Sequence, residues 1–465
     1  MSTTIPPRFR TRALGGLLVY AALTACGGEG AEPATGPNLL LVVVDTLRAD
    51  HLGTYGHGED TSPRIDELAG QGVVFERMYS QAPWTKPSVA SLFTSLYPPQ
   101  HQVLEEGTDN RLASSLTTLA EVLADAGYRT GAVSQNPHIQ ANTGFDQGFG
   151  EFHGLSGYVS GVDEMLDAGR GFLDREAGRP FFLYMHFLDP HGPYAPPPKL
   201  RKRFLGERET KKARVVSGRV GKMLEGEELS IELEAGDLDY LEALYDAEIR
   251  WVDVAVGRLL DHLEERGLAD DTVVLLTADH GEEFMDHGTL KHGYQLYEES
   301  VHVPLIVRAP GVEPRRVDRM VAQHVDLAPT VLDLLGQPVP SAAQGRSLRP
   351  WLEGRETAGP ETALLGTSWR EIDRFAVREG SWKLVRHADQ GRTELYDLAS
   401  DPTERKNVAG DHPDVVERLS QAYTDATSPI DGVTPDDAFG ARDPELERRL
   451  RAIGYTGGEE DEHEH

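Results

Sequence analysis

Residues 38–45 read Asn-Leu-Leu-Leu-Val-Val-Val-Asp and residues 272–280 read Thr-Val-Val-Leu-Leu-Thr-Ala-Asp-His. Each is an unbroken apolar run of strand length, and each leads directly into a carboxylate. A strand covered on both faces, as in a parallel sheet, needs no polar alternation, so these runs predict buried parallel strands. Ligands of open parallel sheets bind beyond the carboxyl ends of the strands. Asp45 and the Asp279-His280 pair are therefore expected on one sheet edge. Two carboxylates and an imidazole suit a hard or borderline divalent cation. Helix N-capping would explain either Asp alone, and only their pairing on separate strands favours a metal.

Strand-like and helix-like segments alternate outward from these runs. Helical patterns cover 65–71, 116–126 (closed by Gly127) and the long amphipathic stretch 238–266, and strand patterns cover 128–134, 180–187 and 303–307. This alternation predicts an α/β/α sandwich with a mostly parallel central sheet. After about Gly345 the pattern changes to short strands at 375–377, 382–386 and 394–397, then a helix at 413–426, as in a small C-terminal α+β subdomain. The expected organisation is a catalytic domain over 37–345, the subdomain over 346–430 and an acidic tail over 431–465, with 456–465 disordered.

The chain has 465 residues, 39% hydrophobic and 26% charged, which is globular composition. Its 46 Lys and Arg against 76 Asp and Glu give a formal charge of −30. That excludes a general nucleic-acid binder, which needs a basic face, but not an anionic small-molecule substrate. Arg8, Arg10 and Arg12 precede a short apolar run, 13–24, which has signal-peptide shape and is too short to span a bilayer. The run ends Leu23-Thr24-Ala25-Cys26, which resembles a bacterial lipobox, and Cys26 is the only cysteine. The expectation is a signal peptide over 1–25, a lipid anchor at Cys26 as the only membrane attachment, and a tether over 26–36. The place is then the bacterial cell envelope, on the outer membrane or its periplasmic face. An ordinary secretory signal or an uncleaved anchor is the alternative.

Between the two strands lies Trp84-Thr85-Lys86-Pro87-Ser88-Val89-Ala90-Ser91-Leu92. Pro87 marks a helix start and places Thr85 just before the first turn. Backbone N–H groups there stabilise an anion such as a phosphate or a Thr85 alkoxide, and a metal at the same point would lower the hydroxyl pKa further. Taken locally, capping by Thr85 explains the residue better.

With these residues in view, the chain resembles the sulfatase family of the alkaline-phosphatase superfamily. The resemblance rests on VVVDTLRADHLGTYG (42–56), WTKPSVASLFTSLYPPQH (84–101), YMHFLDPHGPYAPP (184–197) and LLTADHGEEF (275–284). It continues in KHGYQLYEESVHVPLIV (291–307), HVDLAPTVLDLLG (324–336), WKLVRH (382–387) and ELYDLASDPTERKNVA (394–409). The resemblance implies an alkaline-phosphatase-like fold and a metal held by Asp45, Thr85, Asp279 and His280. It implies Thr85 as nucleophile and His191 and His292 as acid or base, with His191 and Lys291 at the substrate; Asn136 and His138, in the loop after the strand 128–134, are candidate substrate contacts, with stabilisation of the turn as the alternative. Asp189, His191 and His292 would alternatively hold a second metal.

Three departures bear on the chemistry. Sulfatases proper carry Cys or Ser in C/S-x-P-S-R, matured to formylglycine, whereas this chain has Thr85 there and Val89 in place of the arginine. No formylglycine is expected. Thr46 stands where many sulfatases have a further metal-binding Asp, and His280 where many have Asn. Losing an acid and gaining an imidazole favours zinc or manganese over calcium. The expected activity is hydrolysis of a small anionic ester, phosphodiester or phosphonate in type. The alternatives are a true sulfuric ester hydrolase without formylglycine, acting on a sulfate ester or anionic glycan, and a catalytically inactive glycan-binding lipoprotein.

Other residues invite plainer readings. Asp50, His51 and His57 are explained by local hydrogen bonds, His287 as a neighbour of the metal ligands, and Asp326 as a helix N-cap. His186, inside a strand, reads as a satisfied core histidine. The basic stretch 199–222 reads as a solvated surface segment, with steering of an anionic substrate as the alternative.

Overall fold

The computed structural model describes residues 36–155, 161–175, 179–206, 235–369 and 372–430, together with residues 443, 444, 448 and 450. The signal segment, Cys26, most of the tether, most of the basic stretch and residues 456–465 lie outside the described residues.

Fifteen strands are described. Strands β1 (Asn38–Val44), β2 (Val73–Tyr79), β3 (Arg129–Ser134), β4 (Glu151–Gly154), β5 (Phe181–Phe187) and β6 (Thr272–Ala278) belong to a nine-stranded sheet. Strands β7 (Glu283–Phe284) and β8 (Leu290–Lys291) form a small antiparallel pair, and β9 (His302–Arg308), β10 (Arg315–Val317) and β11 (Ala322–Gln323) complete the large sheet. Its order is β10-β2-β9-β6-β1-β5-β3-β4, with β11 on β2. All pairings are parallel except those of β9, which runs against both β2 and β6. The central sheet is therefore mixed but mostly parallel, as the apolar runs predict.

Strand β1 holds the centre, with every residue buried. Leu39–Val44 face the core with 0–1% exposure, and full burial of each such side chain stabilises by about 1.5–3 kcal/mol. Register places the ends of the central strands side by side. Val44 pairs with Phe187 of β5 and with Ala278 of β6, and His186 pairs with Val43 and with Ser134 of β3. The ledge beyond these ends therefore carries Asp45, Asp279-His280, Asn136 and the last turn of β5.

Helices pack on the sheet at Pro63–Gln71, Leu119–Asp125, Val162–Asp174, Leu327–Leu334 and over the 31 residues Ala235–Glu265. The helix Thr85–Thr94 differs from these because all ten of its residues are buried. The C-terminal unit is a separate antiparallel sheet in the order β12 (Thr362–Trp369), β13 (Ile372–Glu379), β14 (Trp382–His387) and β15 (Arg392–Asp397), covered by the helix Pro413–Ala426. Leu450 is fully buried against Ala82 and Trp84, and the Asp443 backbone N–H donates to Thr108 Oγ1.

Candidate active site

Asp279 directly follows β6, with its Oδ1 accepting the backbone N–H groups of Thr46 (3.1 Å) and His280 (2.9 Å). This fixes the carboxylate and turns Oδ2 inward. Asp45 is held the other way, its Oδ2 accepting from Asn136 Nδ2 at 2.5 Å. Asp45 Oδ1 and Asp279 Oδ2 are both buried without a hydrogen-bond partner. Thr46 makes the turn between them at φ +55°, a backbone region costly for a β-branched residue and found at sites whose surroundings enforce it.

Thr85 is the first residue of its helix, behind the N-cap residue Trp84. The expectation that it stands before the first turn is one residue off, and it does not act as the cap. Its Oγ1 lies 3.3 Å from Asn136 Nδ2 and 3.4 Å from His280 Nε2. His280 Nδ1 faces the Gly281 carbonyl at 2.8 Å, which orients the ring and turns Nε2 towards Thr85. That Nε2 is 3.7 Å from Asp45 Oδ1 and 3.5 Å from Asp279 Oδ2.

His186 is not the satisfied core histidine that its strand suggests. Its Nδ1 pairs with the Tyr184 hydroxyl at 2.8 Å, and its unpartnered Nε2 stands 3.8 Å from both Asp45 Oδ2 and Asp279 Oδ2. Asp45, His186 and Asp279 offer donor atoms that all lie within 4.8 Å of one another. Burial, then the Asp279 charge, pushes the Asp45 carboxyl well above the usual range. Burial opposes ionisation of Asp279 too, but His280 and His186 hold its carboxyl below the usual range. Three inward-facing buried atoms without partners, two of them on adjacent carboxylates, form a donor set that fits a divalent cation.

A second group of imidazoles adjoins this centre. The rings of His280 and His292 are 4.5 Å apart and those of His292 and His191 4.9 Å. His292 Nδ1 is paired with Glu282 Oε1 at 2.9 Å and His191 Nδ1 with the Gly192 carbonyl at 2.6 Å. Burial lowers His191 to about 3 and, with the nearby His280, holds His292 far down. His138 is fully buried, edge-on to Trp84, and its backbone N–H donates to Asn136 Oδ1 at 2.7 Å. Lys291 is half-buried on β8 beside His292. Asp189 is half-buried, and burial pushes its carboxyl up to about 6. Among the described residues it forms no close donor group with His191 and His292.

Several plain readings change. His51 and His57 bond to Asp246, far along the chain, rather than locally. His287 is held by Glu299 and the Glu404 carbonyl and stacks on Tyr297. Asp326 does not cap the helix that follows it, and instead accepts the backbone N–H groups of Gln323 and Arg346. Lys86 belongs to the support of the site, its fully buried ammonium donating to the carbonyls of Glu105, Gly107 and Asn110.

A buried hydroxyl at a helix start, faced by carboxylates and imidazoles at the ends of parallel strands, defines a hydrolase of the alkaline-phosphatase-like class. The profile of the sulfatase family matches residues 37–337, and that of the N-sulphoglucosamine sulphohydrolase C-terminal region matches 286–427. The chain belongs to the sulfatase family, whose hydrolases act on sulfate or phosphonate esters. It is 25% identical to a Delta 4,5-hexuronate-2-O-sulfatase of Bacteroides thetaiotaomicron, across 84% of this chain and 88% of that one. It is also 25% identical to the multifunctional alkaline phosphatase superfamily protein PehA of Trinickia caryophylli, across 81% and 92%. In fold it matches the phosphonate monoester hydrolase of Agrobacterium radiobacter with a TM-score of 0.72 at 24% identity, covering 84% of this chain and 95% of that one.

Proposed function

We propose that this protein hydrolyses phosphodiesters or phosphonate monoesters with unmodified Thr85 as the nucleophile. The observation that carries the reading is the placement of Thr85 Oγ1, between Asn136 Nδ2 and His280 Nε2 at the first residue of a buried helix. Asp45, Asp279, His186 and His280 would hold the divalent ion, zinc or manganese before calcium given the imidazole share of the donors. Bound there, the ion supplies a lowered hydroxyl pKa and neutralisation of developing charge.

Thr85 Oγ gives up its proton to solvent and attacks phosphorus in line, its bond to phosphorus forming as the bond to the leaving oxygen breaks, and the leaving alkoxide takes a proton back from water. The helix N-terminus and Asn136 orient the hydroxyl, and Asn136 also holds Asp45 in place. Water then attacks the phosphoryl-threonine and releases Thr85. His292, paired with Glu282 Oε1, and His191 would take the water proton. Lys291 and His138 would contact the substrate anion.

Hydrolysis of sulfate esters, on a small ester or an anionic glycan, is the second reading, favoured by the several sulfatases among the relatives. Comparing aryl phosphodiester, phosphonate and sulfate turnover with zinc, manganese and calcium separates the two. Thr85→Ala should abolish turnover and Thr85→Ser should retain part of it. Full turnover by Thr85→Ala would refute the nucleophile, and sulfate as the best substrate would select the second reading. The lipobox-like Leu23-Thr24-Ala25-Cys26 supports a lipid anchor at the envelope. Cys26→Ala should shift the protein out of the membrane fraction, and unchanged fractionation would remove the anchor.

A further inference from the structure

Outside the catalytic ledge, His51, His57 and Asp246 bring three further metal-ligating side chains together. The 3-10 turns Ala49–His51 and Gly53–Tyr55 bend the loop, and Gly56 at φ +103° turns the chain back so that His57 returns beside His51. The two rings lie face to face with centroids 4.9 Å apart. Both address one carboxylate from the long helix, with His51 Nδ1 2.7 Å from Asp246 Oδ1 and His57 Nε2 3.3 Å from Asp246 Oδ2.

We propose that His51, His57 and Asp246 form a binding site for a borderline divalent transition-metal ion, zinc foremost, separate from the one at Thr85. All three residues offer donor atoms within 4.8 Å of one another. A zinc ion with bonds of about 2.0–2.2 Å spaces its ligand atoms at about 3.3 Å, so small side-chain rotations suffice to reach it. Two imidazoles and one carboxylate match borderline ions and disfavour calcium and magnesium. One carboxylate needs only one imidazole for a good hydrogen bond, yet two rings are turned to this one. A single divalent ion engages both ring nitrogens and the carboxylate together. Glu242, half-buried one helical turn before Asp246, adds a second carboxylate on the same helical face. His57 is the most exposed of the three side chains at 18%, which leaves an entry route and room for a water ligand.

The site also has a place in the architecture. Tyr245, next to Asp246, donates its hydroxyl to the Thr46 carbonyl at 2.7 Å and accepts the Arg48 backbone N–H at 2.9 Å. An ion at Asp246 thus clamps the long helix to the loop that leaves Asp45. The inference does not rest on the proposed hydrolysis and survives the loss of that reading.

The test is equilibrium dialysis against zinc, with cobalt(II) absorption as a second readout, on the whole protein and on His57→Gln, Asp45→Asn and the double variant. The wild type should hold one more equivalent than His57→Gln, and Asp45→Asn should keep that equivalent. Zinc should raise the melting temperature of Asp45→Asn but not of the double variant, and His57→Gln should retain Thr85-dependent turnover. Equal metal content in the wild type and a folded His57→Gln, or a zinc-induced shift that persists in the double variant, would overturn the assignment. Should His57→Gln fail to fold, His57→Asn takes its place in the same comparison: one equivalent fewer than the wild type supports the site, and equal content refutes it.

Discussion

Replacing Asn136 by Asp tests the core of the site with almost no change in shape. The Asn136 amide nitrogen donates to Asp45 Oδ2 at 2.5 Å and to Thr85 Oγ1 at 3.3 Å, while its oxygen accepts the His138 N–H at 2.7 Å. Aspartate keeps the acceptor and removes the donor, so the His138 turn survives and only the contacts to Asp45 and Thr85 change. A hydrogen bond to a charged group contributes about 1.5–3 kcal/mol, so Asn136→Ala should lower kcat/KM roughly 10- to 150-fold. Asn136→Asp adds a like charge beside Asp45, and two unit charges ~4 Å apart at an effective dielectric of ~20 repel by about 4 kcal/mol. The aspartate variant should therefore be the worse of the two, with the loss mainly in kcat. Steady-state kinetics on the best ester of the panel, with bound metal measured in parallel, provides the readout. Turnover by a metal-replete Asn136→Asp within twofold of wild type would refute the orienting role of the amide.

Four further outcomes follow from the same geometry. Lys86→Met leaves the buried Asn110 carbonyl without its donor, at a cost of about 1–3 kcal/mol, so melting temperature should fall and proteolysis within 105–110 should accelerate; unchanged proteolysis would show that the loop does not depend on this lysine. Burial pushes the Glu283 carboxyl up to about 8 from its ordinary 4.5, so the folded chain binds the extra proton and loses stability as pH rises through that window. Glu283→Gln should flatten this slope and melt above the wild type beyond pH 8, as read by calorimetry across pH; a parallel profile would contradict the assignment. A Cβ at Gly281 would collide with the Glu299 carbonyl, so Gly281→Ala should displace the adjacent His280 and reduce turnover at least tenfold, with a crystal structure to check the shift. Thr46→Asp puts a third carboxylate on a backbone position that aspartate tolerates better than threonine, and competition dialysis should show affinity moving from zinc towards calcium.

The parts of the fold legible in the sequence were those whose pattern reports burial directly. β1 and β6 are continuous apolar runs with every residue buried, and their ends fall where the carboxylates begin. β2 (VVFERMY) escaped because Glu76 and Arg77 interrupt its apolar residues near a register shift between Phe75 and Met78. The helix Val162–Asp174 escaped because two glycines obscure a stripe made by Val162, Met165, Leu166, Phe172 and Leu173. β12 (TALLGTSW) carries a glycine and threonines that read as a turn, although it is paired along its whole length with β13. Strand direction was equally hidden, since nothing in residues 302–308 says that β9 runs against both neighbours.

The site divides along the same line. Asp45, Asp279 and His280 each follow a strand end, so local pattern put them on one edge, whereas Thr85 read locally as a helix cap and joined them only through the family resemblance. His186 lies inside a strand, and only register, which sets it opposite Val43 and beside Ser134, turns its Nε2 towards the two carboxylates. Asp246 is further from prediction still, because it joins His51 and His57 across about 190 residues of chain. What the geometry adds is an account of which atoms remain available. Backbone N–H groups occupy Asp279 Oδ1 and Asn136 occupies Asp45 Oδ2, so each carboxylate keeps one oxygen for the centre. With Thr46 in place of a further acid, two carboxylate charges balance one divalent ion. Holding a divalent ion, such a centre would carry no net charge, which on the proposed reading suits a singly charged ester, and phosphodiesters, phosphonate monoesters and sulfate monoesters all share that charge.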